Sequence, residues 1–371
     1  MPENKSYHLV IQTAFIGDVF LSIPFLNRLK KIYPDDPIIF IAKAGVAESL
    51  LKMKLIDELI EIKKSDRKSY SNAMLTLTEK KIVNLFCLHK SIRSSLFSFQ
   101  VKADKKWVFH TTLNYFLFKN CITYQKKWPD AVRQLYLLKN VDSELNDLIH
   151  QKDWSYLNQY NSSSLNFPVI PEWMQFQNSK LGIDKQFLNL FNNNFKTVAL
   201  FPGSVWPTKR WPTEKYFQLC IWLLENNINI VLLGGPDEKL ISEKILNLIN
   251  QKFKNNNLNI KNYTGEFNLY KSLQLIQTCD LVVGNDSSSS HLAASQNKPV
   301  VAIFGPTTLN LGFRPWQNQS KVIENNLLDC RPCGLHGHKK CPLEHHKCMN
   351  DITVDQVIIG IKDILYNLKR I

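Results

Sequence analysis

The sequence predicts an α/β protein made of two halves, each a parallel sheet with helices on both faces. Three observations predict it. Apolar runs of strand length alternate with longer amphipathic stretches along most of the chain. The strand-like runs end in loops rich in Gly, Asp, Ser and Pro, and an open parallel sheet carries its polar chemistry at that edge. The alternation breaks at about 141–195, where Asn, Ser and Pro cluster, and then starts again.

The first strand is 8–12, followed by Thr13-Ala14-Phe15-Ile16-Gly17-Asp18 and a helix over about 19–32, which Pro34 ends. Strands follow at 37–42, Glu58–Ile62 and 82–86, with helices between them. The second series opens with the strand Thr197–Phe201. It continues through 216–226, 228–233, Leu269–Thr278, 281–283 and Val300–Phe304. The Asn-rich patches 192–194 and 255–257 read as loops. In 354–368, Val357, Ile358, Ile361, Ile364 and Leu365 recur at helical spacing. The expected domains are 1–180, 181–350 and a terminal helix, 351–371.

Of the 371 residues, 44% are hydrophobic, which is enough for sizeable cores and excludes a disordered chain. No secretory signal is read at the start, and no apolar run approaches the roughly 20 residues of a membrane span. A cytoplasmic protein is expected. The formal net charge is +14. Lys90, Arg93, Lys102, Lys105, Lys106, Lys119, Lys126, Lys127 and Arg133 face only Asp104 and Asp130 along 84–133. This is either a solvated basic face or a surface for an anionic partner. No nucleic-acid motif accompanies it. The aromatic-rich stretches 96–101 and 107–118 point instead to anionic lipid at a membrane surface, or are core helices.

The most informative stretch is 281–307, LVVGNDSSSSHLAASQNKPVVAIFGPT. An apolar run stops at Gly284-Asn285-Asp286 and four serines, and a short helix follows. A helix N-terminus after a parallel strand favours an anion such as phosphate. Asp286 and Ser287 also suit plain N-cap roles, and His291 suits a structural one. Asp18 likewise fits a first-turn helix acid.

This segment resembles glycosyltransferase family 9, which contains the bacterial lipopolysaccharide heptosyltransferases. The family pattern is Asn-Asp-Ser/Thr-Gly-x-x-His-x-Ala-Ala, then a strand and Tyr/Phe-Gly-Pro-Thr/Ser. Asn285, Asp286, Ser287, His291, Ala293, Ala294, Phe304, Gly305, Pro306 and Thr307 match it; Ser288 replaces the glycine. Phe15-Ile16-Gly17-Asp18-Val19 with Pro24, and Pro202-Gly203 with Lys209-Arg210-Trp211-Pro212, match two further family signatures. The resemblance covers nearly the whole chain. It is strongest at 12–28, 201–216, 262–307 and 330–352.

The resemblance implies the GT-B fold: two Rossmann-like domains facing a central cleft, with the C-terminal helix returning to the first. It implies an inverting transfer of heptose from ADP-L-glycero-D-manno-heptose to the lipopolysaccharide inner core, at the inner face of the inner membrane and without a catalytic metal. Another nucleotide sugar, the first-heptose acceptor, or a non-catalytic nucleotide- or lipid-binding relative stay open. Asp18 is then the general base and Lys209 the cation on the leaving diphosphate. Thr13, Gly17, Ser204, Arg210, Gly235, Glu238, Gly265, Asp286, Ser287, Ser288 and His291 would bind donor. His89, Lys90 and Arg93 would meet the acceptor, although Cys87 stands where the family often has Asp.

Cys330, Cys333, Cys341 and Cys348 lie in a short segment that also holds His336, His338, His345 and His346. Four thiolates at such spacing can make a structural zinc site; reduced, unliganded cysteines are the other reading.

Overall fold

The computed structural model describes residues 5–161, 167–176, 181–191, 194–254 and 258–366. The chain divides into two compact units, Met1–Trp154 and Ser155–Ile371. The first contains strands β1 (Ser6–Gln12), β2 (Ile38–Lys43), β3 (Glu58–Ile62), β4 (Lys81–Cys87), β5 (Lys105–Phe109) and β6 (Cys121–Ile122). The second contains β7 (Thr197–Phe201), β8 (Asn229–Leu232), β9 (Ile260–Asn262), β10 (Leu281–Asn285), β11 (Val300–Phe304) and β12 (Ser320–Glu324). All pairings are parallel.

The sheet orders are β3-β2-β1-β4-β5-β6 and β12-β11-β10-β7-β8-β9. Counted within each unit, both read 3-2-1-4-5-6, the doubly wound order whose ligand crevice lies between strands 1 and 4. Every residue of β10, β11 and β12 is buried. A central parallel strand is covered on both faces, so the two apolar-rich central ones, β10 and β11, read as continuous apolar runs rather than alternations.

The structure departs from the sequence expectations in several places. The helix expected over 19–32 is two, Ile16–Phe20 and Ile23–Ile32, with Pro24 in the first turn of the second. Proline is accommodated there because the first-turn N–H groups have no helical acceptor. Trp107 to Phe109 form the buried end of β5, not a surface helix.

The unit boundary falls before the expected 180. Residues after Trp154 are tied to the second unit: Arg314 donates to Leu157 O, Asn318 Oδ1 accepts from Ile170 N at 2.7 Å, and Trp316 Nε1 donates to Met174 O at 2.8 Å. Residue 180 itself lies outside the described residues, as do 192–193, 255–257 and 367–371.

The C-terminal helix Val354–Leu365 packs on the second sheet. Val357, Ile361 and Ile364 are fully buried in that core. A Cβ at Gly360 would lie 3.1 Å from Ile323, so glycine permits the close approach. No helix among the described residues is long and apolar enough to cross a membrane.

Candidate active site

In each unit the polar residues singled out by sequence collect at the switch between strands 1 and 4. In the first unit, β1 runs into Thr13–Phe15 and the one-turn helix Ile16–Phe20; β4 runs into the His89–Ser91 loop and the helix Ile92–Gln100. Thr13 Oγ1 lies 2.8 Å from His89 Nδ1 and 3.0 Å from Ser94 Oγ, which stitches the two loops together. Thr13, expected on the donor, thus spends its hydroxyl within this unit. Burial, with Lys64 and Lys90 adding to it, lowers His89 to about 4, so its ring is neutral at pH 7.

Asp18 accepts a hydrogen bond from Phe15 N at 3.2 Å, so it does cap its own short helix. A helix N-terminus lowers a carboxylate pKa. Here the opposite wins. Burial first, then the Asp130 carboxylate, raise Asp18 from 3.8 to about 7, against weaker lowering by backbone hydrogen bonds and Lys64. Sequence reading missed the supporting pair. Gln134 Nε2 donates to Asp130 Oδ2 at 2.6 Å and to Asp18 O at 3.3 Å, fixing Asp130 beside the loop. Asp130 looked like one of two acids in a basic stretch, and nothing local marks a like-charge neighbour 112 positions from Asp18.

Lys90 Nζ sits 3.0 Å from the centroid of the Tyr124 ring. Burial, then Arg133, lower it to about 8. Arg93 Nη1 donates to Lys64 O at 2.6 Å.

In the second unit, β7 leads into Pro202–Arg210 and β10 into Asp286 and the helix Ser288–Ser295. Lys209 Nζ donates to Asp286 Oδ2 at 2.6 Å, and Thr307 Oγ1 donates to the same oxygen. Both partners of the ion pair are nearly buried, at 11% and 8% side-chain exposure. Asn285 is the strut beneath. Its Nδ2 donates to Pro202 O and Gly203 O at 3.0 and 2.9 Å, while its Oδ1 accepts from Trp211 N and the Tyr216 hydroxyl. Sequence alone marked Asn285 as a motif residue without giving it this role.

Ser287 is the N-cap of the helix, its Oγ accepting from Ser289 N. Ser288 opens the helix with no left-handed backbone, so replacing the family's glycine strains nothing. His291 is lowered to about 4, mainly by burial, and its Nδ1, like Ser290 Oγ, is buried with no hydrogen-bond partner among the described residues. Buried polar atoms are normally paired. Both lie in the helix that starts at the switch.

Arg210 Nε donates to Ser204 O at 2.8 Å. Glu238 Oε2 accepts from Gly235 N at 2.9 Å, and burial raises the Glu238 carboxyl above its usual range. A Cβ on Gly203 would fall 2.2 Å from the Glu238 carboxyl carbon, so this carboxylate fills the space between the loops after β7 and β8. Gly265 has φ +76 and its Cβ position is 3.0 Å from Pro236 Cα, a place only glycine fits.

The Cys/His segment packs directly on the Lys209 turn. Thr208 Oγ1 donates to His338 O at 2.6 Å and accepts from His338 N at 2.9 Å; His346 Nε2 donates to Thr208 O at 2.7 Å. Arg331 Nη2 donates to Thr307 O and Glu324 Oε2, both at 2.7 Å. These braces were not legible as functional from the chain.

The four cysteines lie near enough to act on one another: beyond burial, Cys333, Cys341 and Cys330 all push the Cys348 thiol up. Among the described residues, no group of three or more His, Cys, Asp or Glu is arranged to hold a metal ion. Cys348 is buried in the core of the second unit, while Cys330, Cys333 and Cys341 stay partly exposed as free thiols.

A doubly wound unit with a lysine–carboxylate pair at a helix start after a parallel strand is an arrangement suited to an anionic, phosphorylated ligand. The family profile described as glycosyltransferase family 9 (heptosyltransferase) matches residues 76–346. The chain belongs to that family and is a glycosyltransferase. It is 27% identical over 95% of its length to lipooligosaccharide heptosyltransferase 2 of Campylobacter jejuni, covering 97% of that protein. Among solved structures it resembles the Escherichia coli ADP-heptose lipopolysaccharide heptosyltransferase II, with TM-score 0.70, 22% identity, and 98% and 99% of the two chains covered. It also resembles E. coli heptosyltransferase WaaC with ADP-2-deoxy-2-fluoro heptose, with TM-score 0.64, 15% identity, and 96% and 99% covered. These likenesses carry the GT-B fold expected from sequence.

Proposed function

We propose that the chain transfers L-glycero-D-manno-heptose from ADP-heptose to the lipopolysaccharide inner core, inverting the anomeric carbon. The family supports heptosyl transfer, and the relatives' names support the donor and acceptor. The observation that carries the reading is the Lys209–Asp286–Thr307 cluster beside a helix start whose His291 Nδ1 and Ser290 Oγ have no hydrogen-bond partner among the described residues.

In this reading the donor diphosphate meets Lys209, Arg210 and the amides at Ser287 and Ser288. Lys209 offsets the charge that builds as ADP leaves. Ser204, Gly235, Glu238 and Gly265 border the nucleotide. In the first unit, His89, Lys90 and Arg93 face the acidic acceptor. Asp18 takes the acceptor hydroxyl proton as that oxygen bonds to the anomeric carbon and the bond from that carbon to the phosphate oxygen breaks. A base with pKa near the working pH suits the task. Thus the first unit, Met1–Trp154, serves the acceptor and the second, Ser155–Ile371, the donor, at the inner face of the inner membrane. No step is assigned to a metal. Zinc on the four cysteines rests on spacing alone, and elemental analysis of protein purified without oxidation tests it.

The deciding experiment is a turnover assay with purified protein, ADP-heptose and an inner-core acceptor, read by product mass. The expected product carries one added heptose with release of ADP. Transfer from another nucleotide sugar only, or ADP-heptose binding with no product, overturns the reading.

A further inference from the structure

We infer that the helices Ile92–Gln100 and Thr112–Leu117 form a docking face for an anionic phospholipid bilayer. The inference deepens the proposed function, since it rests on an acceptor that is membrane-borne.

Ile92, Leu96 and Phe99 follow one another at helical spacing and are 70%, 46% and 49% exposed. Tyr115 and Phe116, on the second helix, are 66% and 78% exposed. The Phe99 ring meets that of the buried Phe118, just past the second helix, edge to face at 6.0 Å, so the two helices lie side by side. Large apolar side chains clustered on a surface mark an interaction site, whereas scattered ones do not.

The surroundings say what covers it. Lys106 Nζ lies 5.7 Å from the Phe99 ring centroid and donates to Phe99 O. Lys102, Lys105 and Lys119 flank the helices in sequence and are exposed. Only Asp104 opposes them there. Leu96 and Arg93 also line a cavity of about 480 Å³ with Lys64 and Arg67, so cations border the stripe on that side too. Apolar side chains rimmed by lysines match an interface of acyl chains below anionic headgroups. A second protein copy would bring the same lysines together, which costs charge repulsion. The apolar helix also begins directly after the His89–Ser91 loop. A protein seated by this face would therefore hold its acceptor loop at the bilayer surface.

The test is sedimentation with vesicles of phosphatidylglycerol and phosphatidylethanolamine, against vesicles of phosphatidylcholine alone. The full chain should bind the anionic vesicles, bind the neutral ones at least 10-fold more weakly, and lose binding as salt rises. Ile92→Ser with Phe116→Ser, and separately Lys102→Glu with Lys105→Glu and Lys119→Glu, should each weaken anionic-vesicle binding at least 10-fold. Turnover on a delipidated, water-soluble core acceptor should stay unchanged in both. Equal binding to the two vesicle types, no binding, or wild-type binding by the variants overturns the inference. So does a wild-type dimer in sedimentation velocity that Ile92→Ser with Phe116→Ser converts to monomer. Vesicle binding without turnover would instead refute the proposed function and leave the face standing.

Discussion

The two units carry the same sheet order, yet their switch points hold a carboxylate in opposite ways. Asp286 of the second unit is tied by Lys209 and Thr307. Asp18 of the first has no side-chain cation bonded to it among the described residues. It has Asp130 as a like-charged neighbour and sits at about 7. One carboxylate is held in an ion pair with a lysine, the other is left able to gain and lose a proton. The doubly wound fold supplies the same crevice twice, and local side chains decide whether it grips an anion or moves a proton.

The contrast breaks most visibly at Asp18. Asp18→Asn should cut turnover by about 10² to 10⁴, the usual worth of a positioned base. Near-normal turnover would return Asp18 to a helix-capping role.

Lys209→Ala should lower turnover on the order of 10² and weaken donor binding, as loss of one charge-stabilising donor does. It also strands the Asp286 carboxylate in a nearly buried site, which costs stability. Lys209→Ala with Asp286→Asn should therefore regain melting temperature but not donor affinity. Recovery of both in calorimetry and a melt would make Lys209 a structural charge.

Asp130→Asn sharpens the comparison. The base acts when charged, so kcat/KM should rise with pH through about 7 in the wild type. Removing the like charge should move that acid limb to lower pH, read from the pH–rate profile. An unmoved limb would mean that Asp130 does not set Asp18.

His346→Ala removes one hydrogen bond to Thr208 O, worth about 1 kcal/mol, and should lower kcat/KM about 5-fold. His346→Gln should restore much of it. A change in melting temperature alone would make the brace merely structural.

The smallest effect is on stability. A carboxyl whose folded pKa is raised stabilises the fold at low pH and loses that contribution as pH rises through the folded value. The melting temperature of Asp18→Asn should thus exceed the wild type by an amount that grows from about pH 4 to about 7 and then levels.

Much of this was legible in the chain. The strands Val300–Phe304 and Thr197–Phe201 were read to the residue, because buried parallel strands are continuous apolar runs bounded by turn residues. The loops after β1, β7 and β10 were legible because Gly, Asp and Ser collect where strands end. β6 and β9 were not: two and three residues, lying at the sheet edges, carry no period to read. The braces on each site, Asp130 on Asp18 and His346 on Thr208, escaped for another reason. They act across 112 and 138 positions, and no local pattern encodes a partner that tertiary packing brings in.

The central claim is that the first switch point moves the proton and the second grips the diphosphate. Calorimetric titration of ADP into wild type, Asp18→Asn and Lys209→Ala tests it most directly. The account predicts that Asp18→Asn binds ADP as the wild type does, while Lys209→Ala binds it at least about 10-fold more weakly. Weakened ADP binding in Asp18→Asn together with unchanged binding in Lys209→Ala would contradict it.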